Sequence, residues 1–164
     1  IGLLGVDMAV IKYVFDFAAY GATPEATFKQ PFGDLLVKGV SLTVRGQTVA
    51  GVEEIAFGGV QIKQLQFKPP GAQLGAMSDK EGFQFLGALL DSAITGEIKV
   101  TNFTTEDRGN RASIKTLVFG GMNRGQFGPS SIDTFESQAD GLVSKIASAK
   151  SDGADFTKGL PWLL

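Results

Sequence analysis

One pattern constrains this chain more than any other. Val52-Glu53-Glu54-Ile55-Ala56-Phe57-Gly58-Gly59-Val60 returns as Ile114-Lys115-Thr116-Leu117-Val118-Phe119-Gly120-Gly121-Met122. A partial third copy, Ile62-Lys63-Gln64-Leu65-Gln66-Phe67, follows the first directly and ends in Lys68-Pro69-Pro70-Gly71. In an unbroken pleat Val52 faces away from Ile55, whereas Ile55 and Phe57 share a face. A strand that changes face partway along reconciles the three, and one extra residue, a β-bulge, is a device that does this. The same phase change recurs at Ile62 to Leu65, Val100 to Phe103 and Ile114 to Leu117. Repeated bulges curve a sheet into a trough or half-barrel. The expected fold is therefore mainly β (α+β), a curved and mostly antiparallel sheet.

The rest of the chain fits one domain of 164 residues, a length that can bury roughly 70% of its unfolded surface without staples. Further strands are expected at Leu35 to Arg45, Thr48 to Phe57, Glu97 to Thr105, Ala112 to Phe119 and Ser131 to Phe135. Glu25 to Phe32 contains Pro31 and suits an edge at best. Val6 to Tyr20 alternates in period two and reads as a strand, with a helix as competitor. Ser78-Asp79-Lys80-Glu81 fits a capping box, and Phe83, Leu86, Leu90 and Ile94 form one stripe. A helix over about residues 79–95 is expected, largely buried and lying across the concave face of the sheet. Ala139, Leu142, Val143, Ile146 and Ala147 suggest a second, amphipathic helix over about 139–150. The tail Leu160-Pro161-Trp162-Leu163-Leu164 is apolar for a terminus.

Composition narrows the chemistry. The 13 Phe against two Tyr and one Trp predict a dry core, because Phe adds apolar area with no polar handle. The 22 glycines carry no collagen period and read as turns and bulges. Fifteen basic and 17 acidic residues are interspersed, giving a net charge of −2 and no basic face for nucleic acid. With no Cys and no His, disulfides, Ser-His or Cys-His nucleophiles and zinc-imidazole sites are excluded. The chain opens at Ile1 without Met, as expected of a processed or excised piece. No signal peptide remains, and Asp7, Lys12 and Asp16 interrupt the apolar opening before it reaches a spanning length.

Candidate sites are few. The loop from Gly120 to Gly128 with Arg124 offers amides and a charge to an anion, or is a plain turn. Glu53 and Glu54 are expected on opposite faces of a strand, and Glu106 and Asp107 sit beside Arg108 and Arg111 in a solvated turn. Neither arrangement makes an acid pair, and the calcium-loop alternation is missing. Asn102-Phe103-Thr104 forms a glycosylation triplet on a strand. No metal ligand set and no cofactor is expected.

The strand units Val52 to Phe57, Ile62 to Phe67, Glu97 to Phe103 and Ile114 to Phe119, with their Gly-Gly turns, resemble repetitive β-rich proteins of the Gram-negative cell envelope. The likeness is to the AsmA-like β-groove kind and covers residues 35 to 135. It implies curved sheets with greasy interiors that hold or move lipids, and a periplasmic or envelope location near a membrane. No functional residue carries over from it. The expectation is a non-enzymatic protein whose trough holds a lipid or other apolar small molecule, lined by Phe57, Phe67, Phe83, Leu86, Leu90, Phe103 and Phe119. The alternatives are a self-assembling subunit using edge strands and apolar termini, and a domain whose helix and tail simply fill the trough. An enzyme built on carboxylates and Arg is the remaining class.

Overall fold

A computed structural model describes residues 7–9, 27–65 and 78–158. The strand expected over Val6 to Tyr20, the end of the third repeat copy with Phe67, and the Trp162 tail lie outside these residues, apart from Asp7, Met8 and Ala9, the last two of which are helical.

Four turns of one chemistry set the topology. Arg45-Gly46, Arg108-Gly109, Arg124-Gly125 and Asp140-Gly141 each place a residue at φ 49–52° before a Gly at φ 81–85°. Two successive left-handed residues make the two-residue hairpin turn whose twist matches its flanking strands. Three of these turns join long strands: β2 (Leu35–Val44) to β3 (Gln47–Phe57), β6 (Ile98–Asp107) to β7 (Asn110–Phe119), and β10 (Ser130–Ala139) to β11 (Leu142–Ser151). They form a six-stranded antiparallel sheet in the order β11-β10-β7-β6-β3-β2. Six short strands form a second antiparallel sheet, in the order β1-β4-β5-β8-β9-β12. These are β1 (Lys29–Phe32), β4 (Val60–Ile62), β5 (Ala93–Thr95), β8 (Met122–Asn123), β9 (Gln126–Phe127) and β12 (Ala154–Asp155). Neither sheet is closed.

The two sheets are the two halves of one strand set. Each short strand runs into the long strand at the same place in the order, across a break of two residues. Gly33, Gly58-Gly59, Gly96, Gly120-Gly121, Gly128 and Gly153 occupy these breaks and line up as a crease. The ladder continues through it: Gly58 N–H donates to Glu97 O at 2.7 Å, Gly96 N–H to Gly59 O at 2.8 Å, and Gly128 N–H to Gly121 O at 2.7 Å. Glycine is required because the backbones touch. A Cβ on Gly58 would collide with Gly96 Cα, and one on Gly120 with the Gly128 carbonyl.

The expected change of face is present, but it runs without an inserted residue. Lys38 opposes Glu54 and Val40 opposes Val52; across the next ladder Val52 opposes Phe103 and Glu54 opposes Thr101. One residue per strand lies between these pairs, so the register holds. The row is Gly39, Glu53, Asn102, Lys115, Thr134 and Ala147, and Gly39, Asn102 and Thr134 are left-handed at φ 65°, 50° and 51°. A left-handed residue on every second strand thus does the work assigned to bulges. In the long-strand sheet the register shifts only between Leu42 and Thr43.

Two helix expectations are corrected. The segment 139–150 is strand β11 with its turn, not a helix. Leu142 to Ser151 pair one for one with β10, and the Asp140-Gly141 turn commits the chain to a hairpin. The capped helix, α1 (Asp79–Asp91), forms with both capping-box bonds but ends four residues before the expected 95. Ser92 stops it: its N–H and hydroxyl bond back to Ala88 O and Leu89 O, and Ile94 and Thr95 enter the short-strand sheet. Nor is α1 buried, since no residue in it is. Its C-terminal end rests on the short-strand half through Leu90, near Gly125, and Asp91. Among the described residues the fully buried apolar side chains are Leu65 and Pro31.

Candidate functional site

The left-handed row sorts the long-strand sheet into two faces of opposite character. Lys115 and Asp133, in adjacent rows, approach to 3.7 Å, and the Thr134 hydroxyl donates to Asp133 at 3.1 Å. The row of Lys38, Glu54, Thr101, Thr116 and Asp133 therefore shares a face with the row of Glu53, Asn102, Lys115 and Thr134. Ser41, Thr104, Ser113, Glu136 and Lys145 continue that polar face one alternation further on. Glu53 and Glu54 both fall on it, contrary to expectation. Each is engaged: the Asn102 amide donates to Glu53, and Lys38 pairs Glu54 at 3.2 Å.

What remains makes a continuous apolar face. One row is Val37, Ile55, Val100, Leu117, Ile132 and Ala149; the next is Val40, Val52, Phe103, Ile114, Phe135 and Ile146. Leu35, Phe57, Ile98 and Phe119 extend it towards the crease. Six strands 4.8 Å apart span about 24 Å, and the rows from Leu35 to Val40 run roughly 20 Å along them, on the order of 500 Å². The largest apolar patch on a typical monomer is about 300–600 Å². No described element packs across the face: Leu35, Val40, Ile146 and Phe119 at its margins are exposed, and Val52, Ile55, Phe103, Ile114 and Phe135 at its centre are half-buried.

Three of the expected lining residues, Phe57, Phe103 and Phe119, come together on this face. Phe83, Leu86 and Leu90 do not join them, because α1 sits beyond the crease; Phe67 lies outside the described residues. The Phe-lined enclosure is replaced by an open shelf. The two hollows lie elsewhere. One of about 590 Å³ opens on the polar face near the hairpin turns, among Thr104, Glu106, Arg111, Glu136, Gln138 and Lys145. The other, of about 560 Å³, borders the crease on the short-strand half, beside Ile94, Met122 and Phe127.

The remaining charged constellation is a tether. Asp91 at the end of α1 accepts from Lys63 at 2.5 Å and from the Arg124 Nε at 2.7 Å. Burial pushes the Asp91 carboxyl up, but the hydrogen bonds from Lys63 and Arg124 outweigh it and hold the group below its ordinary value. Arg124, weighed above as an anion ligand, is thus occupied in fixing the helix. Its loop is the β8–β9 hairpin turn. Among the described residues no group of His, Cys, Asp or Glu could hold a metal ion.

The missed feature had a signal. Every strand carries a glycine six positions from its left-handed-row residue: Gly33 and Gly39, Glu53 and Gly59, Gly96 and Asn102, Lys115 and Gly121, Gly128 and Thr134, Ala147 and Gly153. The repeat read from the sequence was half of this device, because β2, β6 and β10 carry it in reverse order. The chain matches no family model, no curated protein and no solved structure. Its geometry defines an antiparallel sheet creased by glycines, polar on one face of its long-strand half and apolar on the other.

Proposed function

We propose that this is a non-enzymatic binding protein whose apolar sheet face holds a lipid or another apolar molecule, in keeping with a place in the cell envelope. One observation carries the reading: a face on the order of 500 Å², rich in Val, Ile, Leu and Phe, with no described residue over it. Full burial of such a side chain is worth about 1.5–3 kcal/mol from the exposed state, and part of that from the half-buried one. A face of this size is a standing drive to acquire a cover, and an acyl chain lies flat on such a surface. The polar face supplies solubility, with its charges paired as Lys38–Glu54, Lys115–Asp133 and Lys145–Glu136.

Native mass spectrometry of the chain with fatty acids and phospholipids tests this. The expected result is a stoichiometric adduct, lost on Phe119→Asp at the half-exposed edge of the apolar face and kept on Thr104→Asp on the polar one. No adduct with any acyl species, or equal loss from both variants, overturns it.

A further inference from the structure

Among the described strands the long-strand sheet ends on two edges, and they are made for each other. β2 pairs with β3 on one side and β11 with β10 on one side; no described strand pairs with either outer side. Each leaves alternate N–H and C=O groups of a ten-residue strand without a ladder partner among the described strands. In a six-stranded antiparallel meander β2 and β11 run in opposite directions, so the edge of one copy can extend the edge of the next.

We infer that β11 of one copy pairs antiparallel with β2 of a second copy, head to tail, with Ile146 opposite Val40. Three landmarks, held at fixed spacing along each strand, agree on this register. It places Gly153 opposite Gly33, so the crease runs unbroken from copy to copy. It places Ala147 opposite Gly39, so left-handed and ordinary residues keep alternating: Gly39, Asn102 and Thr134 are left-handed, and Ala147 is not. It extends both apolar rows, Ile146 meeting Val40 and Ala149 meeting Val37.

Charge agrees. Lysines on edge strands ordinarily discourage pairing, but here Lys38 would meet Ser148 and Lys145 would meet Ser41. Both lysines already lie against glutamates of their own sheet, Glu54 at 3.2 Å and Glu136 at 3.0 Å. The symmetric alternative, β2 against β2, sets the two creases at opposite ends and opposes two left-handed glycines. The join is thus heterologous, and repeating it yields a ring or a filament rather than a closed pair. The inference stands apart from lipid binding, since it uses the strand edges and not the apolar face.

The chain contains no cysteine, so introduced thiols report on single contacts. Directly opposed residues on antiparallel strands have Cα atoms roughly 4.5–5.5 Å apart, within disulfide range. Under mild oxidation an equimolar mixture of Val40→Cys and Ile146→Cys is expected to give covalent dimer at several times the yield of either variant alone. Sedimentation of the unsubstituted chain is expected to show mass rising with concentration. A strict monomer at every concentration overturns the proposal. So does a covalent dimer formed as readily by Val40→Cys alone, which would mean symmetric pairing.

Discussion

Gly58 and Gly82 are the same residue in opposite circumstances. Around Gly82, in the first turns of α1, nothing lies within 4 Å of an added Cβ. Alanine there removes backbone freedom from the unfolded chain and favours the helix, so Gly82→Ala is expected to stabilise by about 0.5–1 kcal/mol. At Gly58 the same methyl meets the Gly96 and Glu97 backbones, which cannot step aside without breaking the ladder. Gly58→Ala is expected to destabilise by about 1–3 kcal/mol. Urea denaturation of the two variants measures both signs in one experiment. Asn102 carries a related lesson. Its triplet reads as a glycosylation acceptor, whereas the structure uses Asn as a residue that tolerates left-handed backbone and reaches across to Glu53.

Among the elements, α1 is the least secured, because carboxylates hold both its ends. Hydrogen bonds from the Ser78 hydroxyl and backbone lower the Glu81 carboxyl, and Asp91 is lowered by Lys63 and Arg124 against the effect of burial. A carboxylate lowered in the folded state stabilises fully above its unfolded value of about 4 and loses that contribution as pH falls through the folded value. Acid is therefore expected to loosen α1 first, seen as exchange of its amides as the pH is taken below about 4 while the long strands stay protected. Asp91→Asn should bring the same loosening at neutral pH, at a cost on the order of 1–2 kcal/mol, since Lys63 is left with a weaker acceptor. Strands β2, β3, β6 and β7 were legible because alternation and turn residues agree in them. β11 was not. Its small residues Ser144, Ala147 and Ala149 fit helical and strand periods alike, and the Asp140-Gly141 turn decides between them. The burial of α1 was overread for another reason: an apolar stripe reports what a helix can pack on, not that a partner lies beneath it.

At the scale of the molecule, apolar spacing foretold a sheet with one greasy face but not what lies over it, because a covered and an open face are written in the same residues. The open form is expected to take up 8-anilinonaphthalene-1-sulfonate in the native state, with the bound signal falling as an acyl ligand is titrated in. A native chain dark to the dye would mean that the face is already roofed. The alternation of left-handed residues has a consequence for how such a molecule can change in length. Adding or deleting one strand would set two left-handed positions side by side and reverse the chain's direction at the edge. A duplicated hairpin disturbs neither, so the natural increment of growth here is a strand pair.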